Sequence, residues 1–423
     1  MRELTNNMQA VILAAGKSSR FYPYNTTHKS LLTVLGKPII VHTLKSLKKS
    51  GIKDVLIVTE PNNYFKPLLE KENLGLNIEY VTLHKPSGMG DALLEAAPFI
   101  KSDFYLLHPH HAEFEELRVE MDGKMESDKA LILIQEKDSV SNFGVVEAQG
   151  DKVLSIIEKP EKGKEKSRFR IIGIYFLPRN FIQTLKETKP EHYSFEKALD
   201  RFAKEGRVKA VKTGRKSLSL KYPWDILSLK DFLLDKSEGF VSQKAKISDK
   251  ARIDGKVIVE DDASVSENAV IKGPAYIGRG VYIGTNALIR NNTSLEEGVK
   301  IGAFTEVKNS LISPKSSVHS GFIGDSVIGS SCKIGSLFNT SNVRLDRENV
   351  KVSVGAEKVD TSLRSLGAIL GNNVMVGGNV SIMPGIIVGN NVNIGPSTTV
   401  MKNISSDTVF YTKFQEVVEK NKE

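Results

Sequence analysis

Between Gln9 and Ser30 the sequence sets an apolar run, QAVILAA, directly before a glycine-containing basic loop, GKSSRFYPYNTTHKS. A strand that ends in such a loop is a natural anion site, because unpaired backbone N–H groups point at the ligand and nearby cations neutralise it. Arg20 and Lys29 bring charge to this loop, which suits a phosphate ester. It lacks the G-x-G-x-x-G spacing of a dinucleotide fingerprint. A second cluster, His108, His110 and His111, sits in YLLHPHHAEFE. Strand alternation would put His108 and His110 on one face, which permits a transition-metal site; solvated loop histidines are the competing reading. The single cysteine, Cys332, has no partner for a disulfide or a thiolate metal site and reads as a small buried hydrophobe.

These residues need elements to position them. After the loop, IIVHTLKSLKKSG reads as a helix, KDVLIVT as a buried strand, NYFKPLLEKENLG as a helix and SDFYLLH as a strand. Alternating strands and helices imply a mainly parallel sheet covered by helices on both faces. The second half follows another rhythm. Aliphatic residues recur every sixth position from Ile247 through Ile271, Ile289 and Val307, and again from Leu370 to Val400. That period fits neither strand nor helix and suits a triangular coil with one hexapeptide per side. Gly278, Gly284, Gly302, Asn372 and Asn391 are expected to make its turns. The rhythm breaks around 314–324 and 338–367, where loops leaving a rigid solenoid are expected to carry function. The expected organisation is an α/β domain over 1–240, a left-handed parallel β-helix over 241–405, and a tail over 406–423 read as a short amphipathic helix.

Bulk properties narrow the function classes. The 423 residues are 40% hydrophobic and 26% charged, and no apolar run reaches the ~20 residues a membrane span needs. The first residues lack the order of a signal peptide, so a cytoplasmic protein is expected. A net charge of +9 is spread along the chain and mixed with acids, which argues against a nucleic-acid partner.

The first domain closely resembles the sugar-1-phosphate nucleotidylyltransferases. The resemblance rests on LAAG at Leu13 to Gly16 with Arg20, Pro23 and Lys29, then LGKPII from Leu35, FGVVE from Phe143, IIEKP from Ile156, GIYF from Gly173 and YPWDIL from Tyr222. With the β-helix it covers almost the whole chain. It points to the bifunctional enzymes that acetylate glucosamine-1-phosphate and then transfer a uridylyl group to it, especially their prokaryotic relatives with several nucleotidylyltransferase activities. The resemblance implies that a sugar phosphate attacks the α-phosphorus of a nucleoside triphosphate while Mg²⁺ bridges the substrates. Arg20 and Lys29 would be catalytic, Leu13, Ala14, Ala15, Gly16 and Gly88 would hold the nucleotide, Gly144, Glu158 and Lys159 the sugar phosphate, and Asp225 the metal. Some positions depart from the family. Pro109 and His110 stand where a Gly-Asp supplies the second metal ligand, Leu83 where a glutamine reads the pyrimidine, and Ile171 where an asparagine meets the sugar.

The β-helix is similar to the acetyltransferase half of the same enzymes through His319, Phe322 in place of tyrosine, Gly324, Asp325 and Asn342. The likeness makes His319 the base that takes a proton from the sugar amine, beside Phe322 and Asn342, with acetyl-CoA as co-substrate. It also implies a homotrimer that completes acetyl-CoA sites between subunits. The departures support a second expectation: a catalytically inactive ligand-sensing or regulatory subunit, hetero-oligomeric with an active paralogue.

Overall fold

In the computed structural model, Val11 and Leu13 pack into one apolar cluster while Ala10 and Ile12 pack into another, so strand Gln9–Ala14 (β1) is buried on both faces. An apolar run without alternation is what a central parallel strand requires. The structure describes residues 8–16, 18–84, 87–138 and 140–420, so the ends of the expected first domain and of the tail lie outside it. Contacts divide the chain into two compact units, one holding residues 1–17, 30–32 and 38–219, the other 18–29, 33–37 and 220–423. This division differs from the expected boundary at residue 240. Helix Asp225–Lys236 and the phosphate loop group with the solenoid.

In the first unit the sheet runs Asn77–Thr82 (β3), Asp54–Thr59 (β2), β1, Phe104–Leu107 (β4), Phe169–Leu177 (β8), Ala130–Glu136 (β5), Val208–Lys212 (β9), Lys152–Glu158 (β7) and Gly144–Gln149 (β6). The strands β1 to β4 pair in parallel, as does β9 with β5. Strand β8 inserts antiparallel between β4 and β5, and β6 and β7 form a hairpin that turns at Gly150, whose φ is +66°. The parallel character expected from the alternation therefore resides in β1 to β4 and in the β5–β9 pair, with antiparallel strands inserted around the latter. Helices Ile39–Lys49 and Ser194–Lys204 present Ile40, Val41, Leu44 and Leu47, and Phe195, Ala198, Leu199 and Phe202, to the buried side. This is the stripe a helix must cover against a sheet.

The second unit winds through three parallel sheets in turn. Ile253, Ile271, Ile289 and Val307 stack in register, eighteen residues apart, and the aliphatic series fills one axial core. Hexapeptide sides thus close a triangle and form a left-handed parallel β-helix. Its corners use Asn391 as expected, and otherwise different residues. Left-handed corners are occupied by Asn268, Asn286, Asn373 and Asn391, and Asn373 takes the role assigned to Asn372. Gly302 serves close stacking instead of a turn, since a Cβ there would lie 2.0 Å from the His319 carbonyl oxygen of the next coil.

The solenoid is interrupted by an antiparallel hairpin, Lys351–Val354 with Glu357–Asp360. Val409–Phe410 adds the last strand to one sheet. Residues 411–420 have no regular structure, against the expected helix. Phe414, Val417 and Val418 stay exposed. A segment this short forms little helix without an apolar face to bury. Among the described residues no helix is long and apolar enough to cross a membrane.

Candidate functional site

In the first unit, β1 delivers Leu13, Ala14 and Ala15 buried and leaves Gly16 exposed at its end. Gly88 precedes helix Met89–Ala96 and needs its bare Cα, because a Cβ would meet the His192 carbonyl oxygen at 2.2 Å. Gly144 and Glu158 face each other across the β6–β7 hairpin, and a Cβ on Gly144 would lie 2.9 Å from Glu158 Oε2. Lys159 follows at φ +46°, with its N–H on the Phe143 carbonyl. Its Nζ donates to Tyr193 Oη at 3.3 Å, lies 3.5 Å from Glu158 Oε1, and sits over the Tyr193 ring. The three expected sugar-phosphate residues are thus brought together.

Sequence reasoning missed two members of this cluster. Tyr193 supplies the aromatic floor under Lys159. Glu196, on the first turn of Ser194–Lys204, has its carboxyl pushed up to about 7, chiefly by burial and further by the charge of Glu158. Its Oε2 is buried without a hydrogen-bond partner. No motif marks Glu196, because its state depends on a strand some forty residues earlier. Leu83 and Ile171 are buried at 3% and 8% exposure, so no polar group reads a ligand from either position.

The histidines do not converge on a metal. Strand β4 ends at Leu107, and the three rings follow in a loop, stacked on one another. His111 Nδ1 lies 3.0 Å from Glu113 Oε1, both side chains fully buried, and that oxygen also accepts the Leu218 N–H. No group of three His, Cys, Asp or Glu among the described residues could hold a metal ion.

In the second unit, Ser19–Phe21 forms a short 3₁₀ turn that exposes Arg20, and Lys29 opens another. Lys29 Nζ donates to the Leu220 carbonyl at 2.5 Å. Burial lowers its ammonium to about 8, against the attraction of Asp225 and with a smaller push from Arg20. The loop is pinned to the solenoid. Tyr24 Oη donates to the Leu370 carbonyl at 2.5 Å, Asn390 Nδ2 to the Pro23 carbonyl at 2.9 Å, and the Ser406 N–H to Tyr22 Oη at 3.0 Å. Asp225 begins helix Asp225–Lys236 and accepts the Lys221 and Tyr222 N–H groups on Oδ2. Mg²⁺ prefers oxygen ligands in a tight octahedron, so His110, which offers only nitrogen, fits it poorly.

His319 is exposed and lines a cleft of about 1120 Å³ on the solenoid, with Tyr282, Phe304, Leu337, Met375 and Asn393. Phe322 and Asn342 do not line this cleft and gather around Gly324. A Cβ on that glycine would meet the Phe322 ring at 2.6 Å and Asn342 Nδ2 at 3.0 Å. Asp325 is buried at 3% and accepts hydrogen bonds from Lys308 Nζ, Asn309 Nδ2 and Asn342 Nδ2.

Comparison with known proteins finds the same two halves. The nucleotidyl transferase family pattern matches residues 9–226, and the bacterial transferase hexapeptide pattern of six repeats matches 367–402. The bifunctional protein GlmU of Methanococcus maripaludis is 34% identical over 421 residues, covering 98% of this chain and all of that protein. A bifunctional sugar-1-phosphate nucleotidylyltransferase/acetyltransferase of Sulfurisphaera tokodaii is 30% identical, over 90% of this chain and 94% of that one. A glucose-1-phosphate thymidylyltransferase of Neisseria meningitidis is 31% identical over 43% of this chain and 66% of its own length.

Proposed function

We propose a bifunctional transferase, proceeding from the fact that this chain belongs to the nucleotidyl transferase family. One half would join a sugar-1-phosphate to a nucleoside triphosphate and release pyrophosphate. The other would acetylate an amino-sugar-1-phosphate. One observation carries the reading: a relative whose name states both activities aligns over 90% of this chain, through both halves.

In the first reaction the sugar phosphate oxygen attacks the α-phosphorus, and the bond to pyrophosphate breaks. Charge on both anions must be neutralised. Arg20 and Lys29 are assigned to the triphosphate, and Lys159 with Glu158 and Gly144 to the sugar phosphate. Leu13 to Gly16 and Gly88 would provide close backbone approach to the nucleotide. In the second reaction neutral His319 takes a proton as the sugar amine attacks the acetyl-CoA thioester, and the CoA thiolate leaves. The exposed Phe304, Leu337 and Met375 beside His319 support a homotrimer that covers them. These substrates also support a cytoplasmic location.

Purified protein supplied with Mg²⁺ should release pyrophosphate from at least one nucleotide and sugar-1-phosphate pair; silence across a full panel would reject that half. His319→Ala should abolish CoA release with glucosamine- or galactosamine-1-phosphate, and unchanged release would reject the role. A second reading, a non-catalytic sensing or regulatory subunit working with an active paralogue, is favoured by the apolar Leu83 and Ile171 and by His110. His110→Asp separates them. A large gain in pyrophosphate release means that only a metal ligand was lost, and no gain favours the regulatory subunit.

A further inference from the structure

Four side chains around Asp325 are linked by hydrogen bonds whose direction is set by a lysine that only donates and a carboxylate that only accepts. Lys230, on helix Asp225–Lys236, is fully buried and can only donate; its Nζ reaches Asn309 Oδ1 at 3.1 Å, the Asn292 carbonyl and Asp231 Oδ1. Asn309 must therefore turn its oxygen to Lys230 and its amide nitrogen to the carboxylate, where Nδ2 donates to Asp325 Oδ1 at 2.7 Å. Lys308 Nζ holds Asp325 Oδ2 at 2.9 Å. An ionised carboxylate only accepts, so Asn342, bonded to Oδ2, must present Nδ2 to it and turn Oδ1 the other way. Either amide alone could face both ways. Asn309, held between a donor that never accepts and an acceptor that never donates, cannot, and Asn342 is turned by its one bond to the carboxylate.

We propose that Asp325 is a positioning residue that sets the polarity of the Asn342 amide, so that Asn342 offers a bound sugar phosphate a hydrogen-bond acceptor. The inference rests on the acetyl-transfer reading. Its ligand class is a donor group, the neutral amine or a hydroxyl of an amino-sugar-1-phosphate. An amine that donates one N–H to Asn342 Oδ1 keeps its lone pair directed elsewhere, toward the thioester it attacks. Asp325 also holds a left-handed φ of +49°, which glycine and asparagine tolerate. Both substitutions therefore keep the backbone while changing the carboxylate.

The test uses the full chain and measures CoA release with glucosamine-1-phosphate. Asp325→Gly should lower kcat/KM for the amine about tenfold with KM for acetyl-CoA within about twofold. Asp325→Asn keeps one acceptor oxygen for Asn342 and should recover most of that loss. Asp325→Gly combined with Asn342→Ala should match Asn342→Ala alone within about twofold, because a residue acting through another adds nothing once that other is gone. Multiplying losses, or an unaffected Asp325→Gly, would overturn the proposal. If Asp325→Gly does not fold, a crystal of the unaltered protein soaked in glucosamine-1-phosphate decides the matter. The proposal requires Asn342 Oδ1 within hydrogen-bond distance of the amine or a hydroxyl, and fails if Nδ2 faces a ligand oxygen that can only accept. Absence of CoA release from the unaltered protein, with every amine tried, removes the acetyl reading and this assignment together. Normal release with additive variants removes this assignment alone.

Discussion

Replacing Lys29 by methionine should make the protein more stable while destroying nucleotidyl transfer. Burial lowers this ammonium from an ordinary value of 10.5 to about 8, in spite of the nearby Asp225 carboxylate. The gap between 10.5 and about 8 corresponds to roughly 3 kcal/mol of cost for holding the charge in the fold at pH 7. Methionine removes that cost and retains similar bulk, but leaves the Leu220 carbonyl without the donor now 2.5 Å away, a loss of about 1 kcal/mol. The net gain is about 2 kcal/mol, equivalent to a rise in melting temperature on the order of 5 °C for a unit of this size. Between about pH 8 and 10.5 the unfolded chain keeps a proton that the folded chain has released, so the stability of the unaltered protein rises through that window. The advantage of Lys29→Met should therefore be full below pH 8 and shrink toward zero by about pH 10. Pyrophosphate release should fall on the order of a hundredfold or more, the usual consequence of removing one preorganised charge from a transition state. Thermal melts at pH 7 and pH 10 beside a pyrophosphate assay measure all of this. A variant that melts at or below the unaltered protein at pH 7, or a gap that does not narrow with pH, would refute the reasoning.

Two further substitutions probe other parts of the molecule. Tyr24→Phe removes the phenol that donates to the Leu370 carbonyl; it should cost about 1 to 2 kcal/mol and raise KM for the nucleotide more than it lowers kcat, so nucleotide titrations that leave KM unchanged would count against the loop's anchoring role. Glu196→Gln bears on a carboxyl whose folded value, about 7, stands above its ordinary 4.5, so the folded chain holds the extra proton between those values and stability falls as pH rises from 4.5 through 7. The glutamine variant should lack that slope and melt higher than the unaltered protein at pH 8, and denaturant titrations at pH 5 and 8 would show it.

What the amino-acid order settled by itself was periodic or local. A six-residue rhythm dictates which side chains face the axis, because the eighteen-residue coil repeats every contact, and so the β-helix could be read before any coordinate. A continuous apolar run likewise announces a strand buried on both faces, as Gln9–Ala14 is. The terminal tail shows the limit of such reading. Its helical pattern needs an apolar surface to dock on, and Phe414, Val417 and Val418 found none. Tertiary structure alone decided the rest, because each case joins residues far apart in the chain. Tyr24 binds Leu370, Lys29 lies against Leu220, Glu196 feels Glu158, and Lys230 reaches Asn309 and through it Asp325. Charge state and amide direction depend on burial and on what stands opposite. Those are properties of packing, which no window of sequence contains.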